Sequence, residues 1–189
     1  MTVCRLPLLI AALVASSTIL AAADNATIDN SGAGYHGNVT VNQASGDQQQ
    51  QVNVRAVAIG TAAKATTSVS QKLNTPGDPS LNARASIGGN SFSNGSGVIG
   101  INQSAGANNQ MVNAVRIGIS AQPQGVDDSA LSQQNVALPD SGSAPPASGS
   151  RQVVTGDQAF TGSRGVVQLN QSAGVGNRMA NTLNVRVAQ

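Results

Sequence analysis

The chain has no tryptophan, no glutamate, one tyrosine, two phenylalanines and one cysteine among its 189 residues. Each aromatic side chain can bury ~150 to 250 Å², so their scarcity leaves little with which to build an ordinary globular core. The hydrophobic fraction is instead mostly Ala and Val. The lone cysteine, Cys4, precedes Arg5, an uncharged apolar run from Leu6 to Leu20 and Ala21-Ala22-Ala23. A run shorter than the ~20 apolar residues of a membrane span, ending in small residues, predicts a secretory signal peptide over residues 1–23 and a secreted mature chain. Cleavage after Ala23 would leave 166 residues (189 minus 23) beginning at Asp24 and free of cysteine. Such a chain has no disulfide, thiolate nucleophile or thiolate metal site, although an oxidising compartment would have permitted disulfides.

Charge is equally sparse. Without Arg5 there remain 9 basic residues (10 minus 1) against 8 acidic ones, all aspartate, a net charge of about +1. Nucleic-acid binding calls for a basic patch interleaved with stacking aromatics, and neither is present. A single histidine, His36, and scattered aspartates supply no cluster for catalysis, so no enzyme activity, cofactor, metal or small-molecule substrate is expected. Asp127-Asp128 lies in a linker and is too thin a ligand set for calcium, which takes six to eight oxygens. What is abundant is Asn, Gln, Ser and Gly, the polar composition prone to β-stacking.

Those amides are ordered. Val39 to Asn53, Ile99 to Asn113 and Val167 to Asn181 superimpose without a gap as Gly-x-apolar-x-apolar-Asn-Gln-x-x-Gly-x-x-Asn/Gln-x-Gln/Met-x-Asn, the first Gly lying two residues ahead. The first copy carries Gly37, Asn42, Gln43, Gly46, Gln49, Gln51 and Asn53. The second carries Gly97, Asn102, Gln103, Gly106, Asn109, Met111 and Asn113, and the third Gly165, Asn170, Gln171, Gly174, Asn177, Met179 and Asn181. Gly88 and Phe92 match Gly156 and Phe160 further back, where the first copy has Gly32, which extends the unit to about 33 residues. Apolar residues alternate in Val39-x-Val41, Ile99-x-Ile101 and Val167-x-Leu169, and again in Val115-x-Ile117-x-Ile119 and Leu183-x-Val185-x-Val187, the period of a strand. Gly46, Gly106 and Gly174 separate the two runs where a positive φ would let the chain reverse.

The predicted fold is therefore all-β: three imperfect strand-turn-strand repeats, with a weaker strand before each, stacking as a β-solenoid or cross-β core. The division is signal peptide 1–23, repeat 24–60, linker 61–86, repeat 87–120, linker 121–154 and repeat 155–189. Pro76-Gly77-Asp78-Pro79 and the Gly142 to Gly149 stretch make the linkers flexible and poor candidates for the ordered core. A single two-stranded unit is marginal in water, whereas stacked copies pair each edge with the next. In register, Asn42, Asn102 and Asn170 form one amide ladder and Gln43, Gln103 and Gln171 another. Like charges repeated in one column would repel. Arg55, Arg116, Arg178 and Arg186 each share a column with uncharged residues, and only Asp29 and Asp157 coincide. Unpaired edges at both ends of such a stack invite another chain.

By the Asn-Gln-x-x-Gly-x-x-Asn/Gln copies and their two linkers the chain resembles the fibre subunits of the bacterial Fap functional-amyloid system, and more distantly curli subunits. The short length and compact linkers are similar to the minor, nucleator-type Fap subunit. That resemblance implies passage through an outer-membrane export pore, homopolymerisation together with related fibre subunits, and extracellular fibres at the cell surface within a biofilm matrix. The competing reading is a secreted monomeric β-solenoid adhesin or surface-binding module, although solenoids usually keep repeats contiguous and cap their ends.

Overall fold

The computed structural model describes residues 23–73, 77–78, 80–121 and 149–188. The expected signal peptide, save Ala23, and most of the second linker lie outside the described residues. None of the described residues is helical, and they form three layers of three strands each. The first layer is β1 (Ala23–Asp29), β2 (His36–Ser45) and β3 (Gln50–Gly60). The second is β4 (Asn82–Gly88), β5 (Ser96–Ala107) and β6 (Gln110–Ser120), and the third β7 (Arg151–Thr155), β8 (Arg164–Val175) and β9 (Arg178–Ala188).

Strands pair only between layers. β1-β4-β7, β2-β5-β8 and β3-β6-β9 form three parallel sheets, none of them closed. Within a layer the chain turns back through an arch, so successive strands face each other with side chains rather than backbones. In the middle and last sheets the register equals the sequence alignment, Asn42 pairing with Asn102 and Asn102 with Asn170. Parallel strands normally need long crossovers, and the linkers between layers supply them.

The central strand of the middle sheet, β5, is buried on both faces from Ile99 onward, and its alternation sorts two different seams. Ile99 and Ile101 of β5 point toward the first sheet and meet Ile28, Ile87, Tyr35 and Phe92. Ile87, Ile99 and Ile101 are wholly buried. At ~1.5 to 3 kcal/mol for each such side chain this small cluster is the main apolar stabilisation. The intervening residues Asn102 and Ser104 point the other way, toward β6, and build a polar seam of amides and hydroxyls.

Three features depart from the sequence reading. β4 and β7 begin at Asn82 and Arg151, inside stretches expected as linker, because their short Ala- and Val-bearing runs lack the strong alternation of the later strands. β1 is shifted by one residue relative to the ungapped alignment, Asp29 pairing with Gly88, whereas β4 and β7 keep it, Ile87 pairing with Thr155. The turn after β1 is one residue shorter than the turns after β4 and β7, seven residues separating Ile28 from His36 where eight separate Ile87 from Ser96 and Thr155 from Arg164. The Asn90 N–H donates across the layers to Asn30 Oδ1 at 3.0 Å. Asp29 and Asp157 therefore occupy adjacent columns and do not coincide. Residues 61–73 carry no strand but lie on the outside of the third sheet. Gln71 donates to the Gln50 and Met111 carbonyls, Ser120 to Thr61 O, and Thr67 is buried. This cover is what buries Val112 and Ala114 on the outward side of β6.

Candidate functional site

The side chains that recur at the same column are joined directly. Asn102 Nδ2 donates to Asn42 Oδ1 and Asn170 Nδ2 to Asn102 Oδ1, both at 3.0 Å. Gln103 donates to Gln43 and Gln171 to Gln103, both at 2.8 Å. Asn113 donates to Asn53 at 3.0 Å and Asn181 to Asn113 at 3.1 Å. Each amide also donates sideways to a backbone carbonyl across the seam, as Asn102 to Val52 O and Asn113 to Ile101 O at 3.0 Å. Those carbonyls fix which way every amide faces, because only its NH₂ group can meet them.

The fourth amide column is less regular. Asn177 donates to Asn109 Oδ1 at 2.8 Å, but Gln49 reaches the Gly106 carbonyl and accepts from Ser104 Oγ. Gln51, beneath Met111 and Met179, donates to Gln43 O and Ser104 Oγ. One column, noted in the sequence only for an arginine among uncharged residues, is also a ladder: Gln110 donates to Gln50 Oε1 and Arg178 Nε to Gln110 Oε1, at 3.0 and 2.9 Å. Its signal was an amide in two copies, masked by the arginine in the third.

The six recurrent glycines all have positive φ, from +80° at Gly37 to +129° at Gly97. Space forbids a side chain as strongly as torsion does. A Cβ on Gly97 would strike the Gly37 carbonyl and one on Gly165 the Gly97 carbonyl, in the layer below. At Gly46 and Gly106 the obstacle is instead the glycine carbonyl of the layer above. Gly46, Gly106 and Gly174 lie at or near the end of the first run, where the arch begins, while Gly37, Gly97 and Gly165 lie at its start.

The ends of the stack are unlike its middle. Among the described residues, the exposed large hydrophobics belong to the outer layers, Val57 and Ile59 to the first and Val153, Val167 and Val187 to the third. Val167 is 42% exposed where its column-mate Ile99 is 0%. Between the upper parts of β8 and β9 lies a shallow gap of about 470 Å³ beside Val167, Leu169 and Leu183. At the other end burial, and then neighbouring Asp47, push the Asp24 carboxyl above its ordinary range. Burial also lowers the Arg55 guanidinium. His36 faces Ser96 Oγ at 2.9 Å. Among the described residues no three His, Cys, Asp or Glu side chains gather into a metal-binding group.

Parallel strands in register, amide ladders along the stacking axis and open ends define a subunit of the amyloid type, built to be extended layer by layer. The chain belongs to the functional amyloid protein FapB/FapC family, whose model matches residues 11–188. It is thus a functional amyloid fibre protein of a structural, not an enzymatic, family. No solved structure matches it.

Proposed function

We propose that the chain is a secreted subunit that stacks end to end into extracellular fibres of a biofilm matrix, entering them as a minor or nucleating component. Its partners are further copies of itself and related fibre subunits, reached after passage through an outer-membrane export pore. The observation that carries the reading is the contrast between a closed middle layer and two open ones. Residues in equivalent columns are buried in the middle and exposed at the ends, as Ile99 is beside Val167. One more copy at either end would close that layer in the same way. The Asn42, Gln43 and Asn53 ladders at one end and Asn170, Gln171 and Asn181 at the other would then become the continuous core of the fibre. A chain that already holds three stacked layers is suited to nucleation, because it presents a formed template edge rather than having to assemble one.

Fibre diffraction on purified, quietly incubated protein tests this. The expected result is a meridional reflection near ~4.7 Å and an equatorial one near ~10 Å. A β-rich monomer that stays soluble at high concentration would support the adhesin reading instead.

A further inference from the structure

Counted over their own residues, the strand layers at the two open ends carry opposite charge, while the segment 61–73 that reaches Gln50 of the first layer adds Lys64 and Lys72. Residues 23–60, the first layer, hold Asp24, Asp29 and Asp47 against Arg55, a balance of −2 (one minus three). Residues 150–188, the third layer, hold Arg151, Arg164, Arg178 and Arg186 against Asp157, a balance of +3 (four minus one). Loss of the first 23 residues would place one ammonium on the backbone of Asp24 itself and bring the first layer's own balance to −1.

The register matches these charges to one another. Asp24 pairs with Ala83 and Ala83 with Arg151, so all three share one column. A second copy continuing the register above the third layer would set its Asp24 directly over Arg151. Both side chains also pack on the same glycine column. Asp24 Oδ2 lies 2.5 Å from where a Cβ of Gly46 would be, and Arg151 Cδ 2.8 Å from that of Gly174. The other arginines meet no arginine across such a junction: Arg164 would lie under His36, Arg178 under Gln50 and Arg186 under Ala58. Joining like ends would instead bring two aspartate-bearing or two arginine-bearing layers together, which like-charge repulsion disfavours.

The amide ladders point the same way. Every ladder bond donates from the higher layer to the lower, as from Asn170 to Asn102 and from Asn102 to Asn42. The first layer therefore offers N–H groups outward and the third offers acceptors. Gln168 repeats the pattern: its Nε2 donates to Ala114 O while its buried Oε1 has no partner. The residue that a further copy brings above it is Thr40, a hydroxyl donor.

The geometry points to a polar docking surface for a second copy of this chain, in which the arginine-bearing end receives the aspartate-bearing end with Arg151 against Asp24. This rests on the polymerisation reading above and adds to it a direction: filaments grow head to tail, with chemically different tips. The raised Asp24 carboxyl fits, since the carboxylate is ill-stabilised in the lone subunit and gains a cation on docking.

Charge exchange tests it. Seeded elongation of the purified protein at low salt is compared for Asp24→Arg, Arg151→Asp and the double exchange, with Asp24→Asn and Arg151→Gln as milder changes. Each single reversal is expected to slow elongation at least about tenfold, the neutral variants less, and the double exchange to return the rate to within about threefold of the parent. Added salt should slow the parent and leave the neutral variants nearly unaffected. Single reversals that elongate at the parent rate, or a double exchange slower than either single one, would overturn the docking while leaving fibre formation intact. A parent that forms no filaments at all would overturn the polymerisation reading and the docking with it.

Discussion

A buried amide is tolerable only when all its hydrogen-bonding capacity is met. Asn102 achieves this with no exposed surface, donating to Asn42 and Val52 O and accepting from Asn113 and Asn170. Asn42, in the same column but at the end, is exposed and donates at 3.4 Å to Gln51 O. Asn102→Ala should therefore strand several buried groups and destabilise the monomer by about 3 kcal/mol, whereas Asn42→Ala should cost under about 1 kcal/mol. Urea unfolding of dilute protein measures both, and equal losses would contradict the ladder as a source of stability. The same physics explains why these columns could be read in the sequence. An amide held by its copy above and below must recur, so Asn42, Asn102 and Asn170 kept the same residue at each step while their exposed neighbours drifted. Gln50 and Gln110 were harder to see, because the top of that column ends in Arg178, whose guanidinium donates in place of an amide.

Strand type was legible wherever alternation was long, as in Val115-x-Ile117-x-Ile119, and faint in the first sheet. There, burial in β4 is carried mainly by Ala83, Ala85 and Ile87, and small residues signal little. The turn after β1 is also one residue shorter than those after β4 and β7, a gap that an ungapped alignment cannot show and that moves Asp29 out of the Asp157 column. Nor could composition reveal that residues 61–73 cover the third sheet, since nothing in a Thr-, Ala- and Ser-rich stretch announces Thr67 as buried or Gln71 as bridging two strands. Protection should follow pairing rather than hydrophobicity. β5 and β6 have partners on both edges, whereas β2, β3, β8 and β9 each have one edge open. In hydrogen exchange the slowest amides of the monomer are expected in β5 and β6, with the outer strands exchanging faster and slowing after assembly. Uniform protection of all nine strands before assembly would mean that the ends are not open in solution.

At the scale of the whole molecule the subunit and the fibre place different demands on the same residue, and Gly37 separates them. Within the chain, a Cβ on Gly97 would collide with the Gly37 carbonyl, and one on Gly165 with the Gly97 carbonyl. Gly37 has no layer beneath it, and a Cβ there would meet nothing within 4 Å. Gly37→Ala thus costs the lone subunit only the strain of an alanine at φ +80°, about 1 to 2 kcal/mol. In a head-to-tail stack the Gly165 carbonyl of the next copy takes the place that the Gly37 carbonyl holds under Gly97, and the added methyl cannot be accommodated. The variant should fold, with a β-rich spectrum and a modestly lower Tm, yet fail to elongate parent seeds at that end. Gly60→Ala is the control, because it meets nothing within 4 Å and carries no positive φ. Gly165→Ala should fail earlier, in folding itself, since its obstacle lies inside the chain. If Gly37→Ala extends seeds as fast as Gly60→Ala, the layers of successive subunits are not in continuous register, and growth must use some contact other than the open sheet ends.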